Sequence, residues 1–141
     1  MTPSITAPPL SLTDKQIRFE DAVAKLKLQL RANDIDTICT RHISTLEDDL
    51  KYFLEGKSEI DPRIAPTFHM LRLAMDFAIV DKVTRGLIFA RTAEYERFGE
   101  IAESFGLRWG GRWVKRDAAG NIIGGLNDIY HVEYQDLPSG V

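Results

Sequence analysis

The run Leu73-Ala74-Met75-Asp76-Phe77-Ala78-Ile79-Val80 has the apolar content of a buried strand, yet it carries a carboxylate near its centre. Burying a carboxylate without a partner is strongly unfavourable, so Asp76 must face a cation or a metal. A salt bridge to a nearby arginine is the simpler solution. Two other stretches suggest the second one. His69 lies seven residues before Asp76, and Asp128 and His131, three apart, lie near the C-terminus. Two imidazoles and one carboxylate with an open fourth position are the donors of a catalytic zinc site, and a spare carboxylate is the base such a site needs.

The rest of the chain reads as helices and short strands around that run. Residues 1–12 form a flexible arm rich in Pro, Ser and Thr. Thr13 or Asp14 then caps a helix with Ile17, Phe19, Ala22, Val23, Leu26, Leu28 and Leu30 at mostly helical spacing, ended by Asn33-Asp34. Ile35 to Thr40 reads as a strand. Thr45 and Asp48 form a capping box for a second helix with Leu46, Leu50, Phe53 and Leu54 inward, stopped by Gly56. Lys57 to Pro66 is a loop, Asp81 to Gly86 a turn, and Leu87 to Ala90 a short strand. Thr92 caps a third helix that ends at Gly106. Leu107 to Val114 is expected as one strand lining a cleft, which would put Trp109 and Trp113 on the same face. Asp117 to Asn127 is a loop, and Tyr130 to Tyr134 the last strand. This order is not a βαβ alternation; it predicts an α+β fold, a small antiparallel sheet packed against helices. A single domain over residues 13–135 is expected, with a tail at 136–141.

Composition narrows the function classes. With 141 residues the chain holds one core, and its net charge of -3 gives no general attraction to nucleic acid. The basic cluster Arg108, Arg112, Lys115 and Arg116 reads as a solvated surface. Cys39 is the only cysteine, so intrachain disulfides and thiolate zinc clusters are excluded; its apolar context suggests a buried, inert thiol. Met1 to Leu12 lacks the basic start and apolar centre of a secretory signal, and no segment is apolar enough to insert in a membrane. The expectation is a monomer made and held in the cytoplasm until something releases it.

Three motifs carry a resemblance to a family. Thr67-x-His69-x-x-Arg72-x-Ala74-x-Asp76 resembles the Ser-x-His-x-x-Gly-x-Ala-x-Asp motif of the M15 zinc peptidases. Gly106-Leu107-Arg108-Trp109-Gly110-Gly111-Arg112-Trp113 is similar to their Gly-Leu-x-Trp-Gly-Gly-x-Trp segment, and Asp128-Ile129-Tyr130-His131-Val132-Glu133 to their Asp-x-x-His-x-Glu ending. That group contains D-alanyl-D-alanine carboxypeptidases, L-alanyl-D-glutamate endopeptidases and many phage endolysins. The resemblance implies the hedgehog-like fold of such peptidases, one Zn2+ held by His69, Asp76 and His131, and Asp128 as the catalytic base. It implies peptidoglycan as substrate and, for a phage endolysin, a holin-dependent route to the wall. Thr67 would orient a ligand, Glu133 is a competing base or a partner of His131, and Trp109 and Trp113 are core or cleft wall.

This sequence departs from the pattern at three places. Ser44 stands where the family carries an arginine that binds the substrate's carbonyl or carboxylate, leaving Arg41 or Arg63 to substitute. Asp49 replaces a glutamine, and Arg72 replaces a glycine that would suit a positive φ. The competing readings are a carboxypeptidase, a zinc-containing but non-catalytic virion component on the same fold, and a regulator whose motif is accidental and binds no metal.

Overall fold

The computed structural model describes residues 8–58 and 60–136. The expected arm and tail fall largely outside them, at residues 1–7 and 137–141. Helix α1 spans Leu12–Ala32 and is capped by Ser11, whose hydroxyl accepts from the Asp14 amide at 3.1 Å. The cap is thus two residues earlier than Thr13, and residue 12 belongs to the helix rather than the arm. Phe19, Val23, Leu26 and Leu30 recur at alternating intervals of four and three and are buried. Ile17 and Leu28 fall off that stripe and face solvent.

Strand β1 (Thr37–Arg41) leads to α2 (Leu46–Leu54), where Thr45 and Asp48 form the expected capping box. The inward face of α2 is not the expected apolar one. Leu46 and Leu54 are exposed, Leu50 and Phe53 are half-buried, and the fully buried residue is Asp49. Strand β2 (Ala74–Val80) is followed by β3 (Leu87–Ile88) and by α3 (Ala93–Ser104), capped by Thr92. The expected strand over Leu107–Val114 is broken. Arg108–Trp109 forms β4, Gly110–Arg112 a 3₁₀ turn and Val114–Arg116 β5, so Trp109 and Trp113 do not share a face. The expected loop over 117–127 contains β6 (Ile122–Gly125), paired with β5 in a separate exposed hairpin. Strand β7 is His131–Glu133.

The fold is α+β, with the larger sheet antiparallel in the order β1-β2-β7-β4 and β3 also paired with β2. Alternation along β2 decides what each face does. Met75, Phe77 and Ile79 join the core with Phe19, Leu26, Phe98, Ile101, Trp109 and Val132. Asp76 points to the opposite face. Its cross-strand neighbour on β7 is His131, and Ala74 is opposite Glu133. On the other side, a register shift between Cys39 and Arg41 brings Arg41, rather than Thr40, opposite Asp76. Because β1 is the sheet edge, Cys39 is exposed, not buried as expected.

Four chain reversals share one hydrogen-bond pattern. After α1, α2 and α3, and again after the His69 turn, one amide bonds back three residues and the next bonds back five. The residue at the turn has positive φ: Asp34 at 60°, Gly56 at 75°, Gly106 at 82° and Arg72 at 58°. This is the Schellman geometry, in which glycine is the unstrained occupant. Arg72 therefore takes up the backbone conformation foreseen for a glycine at that place.

Candidate metal centre

His69 sits in the tight turn before β2, Asp76 in the middle of β2, and His131 opposite it at the start of β7. One ligand atom from each lies within 4.8 Å of the others. The imidazole hydrogen bonds define what each ring presents. His69 Nδ1 donates to the carbonyl of His42 at 3.2 Å, which leaves the Nε2 lone pair facing Asp76 Oδ1 at 3.4 Å. That buried Nε2 has no hydrogen-bond partner among the described residues. His131 Nε2 donates to Glu133 Oε1 at 2.8 Å, which leaves Nδ1 facing the same Asp76 oxygen at 3.0 Å. Two nitrogen lone pairs and a carboxylate oxygen converging on one buried point repel one another unless a cation lies between them. The donor set, two imidazoles each held from behind and one carboxylate, fits a zinc ion.

Without a metal, a proton takes that role. Burial alone would lower the pKa of His131, but its hydrogen bonds to Asp76 and Glu133 outweigh burial and raise it to about 9. Burial would raise Asp76, yet its contacts with His131 and His69 hold it well below the ordinary carboxylate range.

Asp128 lies outside the donor set but next to it. A Cβ added to Gly110 would come within 3.1 Å of both the Asp128 Cβ and the His131 Cβ, so these two residues pack around the same glycine. Burial raises the Asp128 pKa, helped by the charge on Asp76 and opposed by the imidazoles and Arg41. A carboxyl group tuned upward beside a metal centre is suited to both taking and returning a proton. Glu133, the competing base, is engaged by His131 Nε2 and by Arg108 at 3.5 Å, so it sits behind the imidazole instead of in front of it.

The remaining residues singled out in the sequence separate clearly. Trp113 is half-buried with its ring 4.9 Å from the His131 ring, so it walls the site. Trp109 is fully buried in the core. Arg63 is exposed and doubly hydrogen-bonded to Asp61, which leaves Arg41 as the cation beside the donors.

Two residues that carry this corner had no part in the expected site. Buried Asp49 accepts hydrogen bonds from Ser44 Oγ (2.9 Å), Thr67 Oγ1 and Arg41, and Thr67 in turn caps the His69 turn through the Met70 amide. The substituted positions 44 and 49 thus touch each other, together with Thr67 and Arg41. The visible signal was a carboxylate on the apolar stripe of α2, three residues after Leu46 and four before Phe53. His42 contributes its carbonyl, and no side-chain pattern could have shown that.

The family model described as D-alanyl-D-alanine carboxypeptidase matches residues 64–119, a stretch with His69, Asp76 and the Trp-Gly-Gly segment. The resemblance to the M15 peptidases is borne out. Among solved structures, the Serratia marcescens L-Ala D-Glu endopeptidase ChiX superposes with a TM-score of 0.57 at 14% identity, covering 89% of this chain and 87% of that one. The LdcB LD-carboxypeptidase superposes with a TM-score of 0.56 at 16% identity, over 83% of this chain and 57% of that longer one. At such identities the likeness shows the fold alone. No curated protein matches the chain.

Proposed function

We propose that the protein is a zinc-dependent peptidase that hydrolyses amide bonds in the stem peptides of bacterial peptidoglycan, of the L-alanyl-D-glutamate endopeptidase type. The observation that carries this reading is the convergence of His69 Nε2, Asp76 Oδ1 and His131 Nδ1 on one point, with Asp128 beside it. The match to a peptidase family model and the fold shared with ChiX support it. A zinc ion there would supply Lewis-acid polarisation of a water and of the scissile carbonyl. Asp128 takes the proton from the attacking water on its carboxylate and hands it to the leaving amine, the two duties for which its raised pKa suits it. Glu133 fixes the His131 tautomer and Thr67 the His69 turn. Arg41, anchored by Asp49, presents a guanidinium to the substrate's carbonyl or carboxylate in place of the arginine that Ser44 displaces. The substrate is met at the cell wall after release. Among the described residues no helix is long and apolar enough to cross a membrane.

Metal content and wall lysis measured on wild type and Asp128→Ala test this. Zinc in both with lysis only in wild type is expected. Zinc in both with no lysis in either, across several wall types, overturns the peptidase reading and favours a non-catalytic binding protein. The masses of the released fragments separate an endopeptidase from a carboxypeptidase, the second reading that the family description favours.

A further inference from the structure

The metal ligands and the base are not held with equal security. Asp76 and His131 are locked into the β2–β7 ladder, and His69 is tied to the His42 carbonyl. Asp128 lies before β7 in a turn, and its carboxylate has no hydrogen-bond donor among the described residues, so its position is that of its backbone. The Tyr130 hydroxyl of the turn donates to the Phe89 carbonyl, and two of the turn's own carbonyls accept from outside it. The Phe77 amide donates to the Tyr130 carbonyl at 2.8 Å, and the Trp109 indole N–H donates to the Ile129 carbonyl at 2.8 Å.

Trp109 is itself clamped. A Cβ at Gly99 of α3 would come within 2.1 Å of its ring, and one at Gly111 within 2.2 Å, so both positions admit only glycine while the ring stays put. The guanidinium groups of Arg91 and Arg112 lie 5.2 and 5.3 Å from the ring. Arg91 is held by Glu96 and by the Gly111 carbonyl, Arg112 by Glu103. Helix α3 thus grips the indole through Gly99, Glu96 and Glu103, and the indole grips the residue after Asp128.

We propose that Trp109 is the positioning residue for Asp128: its indole N–H, clamped by α3, sets the base against the metal centre. The inference rests on the reading of Asp128 as base. Two variants perturb the device from opposite sides. Trp109→Phe removes the N–H, and Gly99→Ala pushes on the ring from the far side of the sheet. Val23→Ala, in the core away from the turn, controls for lost stability.

In both test variants the zinc content should equal that of wild type and KM should stay within about threefold. The kcat should fall by about 30- to 100-fold, as misplacing a reacting group by about an ångström does. Hydrogen exchange should rise at residues 127–130. Val23→Ala should lower the melting temperature and leave kcat and that exchange unchanged. An unchanged kcat in folded Trp109→Phe, or an equal fall in Val23→Ala, overturns the inference. If wild type binds zinc but hydrolyses no wall peptide, the peptidase reading fails, and exchange at 127–130 alone judges whether Trp109 holds the turn. Wild-type exchange there in Trp109→Phe overturns it on that ground too.

Discussion

Arg72 offers a sharp test of how the His69 turn is built. Its φ of 58° puts an L residue in the left-handed region, which costs about 1–2 kcal/mol because Cβ crowds the following carbonyl. Its side chain makes no hydrogen bond or ion pair among the described residues, so removing it forfeits no such contact. Arg72→Gly relieves the strain but frees the unfolded chain, which returns about 0.4–1 kcal/mol of the gain. The net stabilisation is about 0.5–1 kcal/mol, a rise in melting temperature of about 2–4 °C for a chain of this size. Ala24→Gly, at an exposed position inside α1, should instead lose about 1 kcal/mol. Thermal unfolding followed by circular dichroism on the three proteins reads both signs. If Arg72→Gly falls together with Ala24→Gly, the turn is not strained and the Schellman account of it is wrong. Zinc affinity should not weaken in Arg72→Gly, since the turn that carries His69 keeps its hydrogen bonds.

Asp49→Leu strands the hydroxyls of Ser44 and Thr67 and the guanidinium of Arg41, and should cost about 3–5 kcal/mol in urea unfolding, against less than about 1 for the exposed Asp48→Leu once its capping bond is discounted. Arg41→Gln should raise KM for wall peptides about tenfold or more with zinc content unchanged; an unaltered KM would remove Arg41 from the substrate side. For the chelated protein, the folded-state pKa of His131 is raised from its ordinary value to about 9. The stability this contributes is fully present below about pH 6.5 and lost as pH rises through about 9. Urea midpoints with a chelator present should therefore fall between pH 6.5 and 9, and a midpoint that rises over that interval contradicts the assigned hydrogen bonds.

Sequence alone points to the parts of the candidate site that chemistry restricts most. An acid inside Leu73–Val80 had to find a partner, the two histidines and Asp128 stood in motif spacing, and the caps at Thr45 and Thr92 sat where the helices begin. Those features are local: a cap, a period-two strand and a run of residue types are decided within a few residues. The α+β class followed for the same reason, because the order of elements excludes a parallel sheet.

Tertiary structure decided whatever depends on two distant segments meeting. A register shift in β1 chose Arg41 as the neighbour of Asp76, and nothing within Ile35–Thr40 announces it. The buried face of α2 differs from the expected one because its apolar residues look inward on a helical wheel, while the surface α2 meets is a polar corner that needs Asp49. Trp109 and Trp113 were expected on one strand, and the Gly110–Arg112 turn sends one to the core and the other to the site wall. The His69 tautomer is set by a carbonyl, a group every residue carries, so only the fold could say which one. Residue types along a chain specify which groups need partners; pairing register and packing choose the partners.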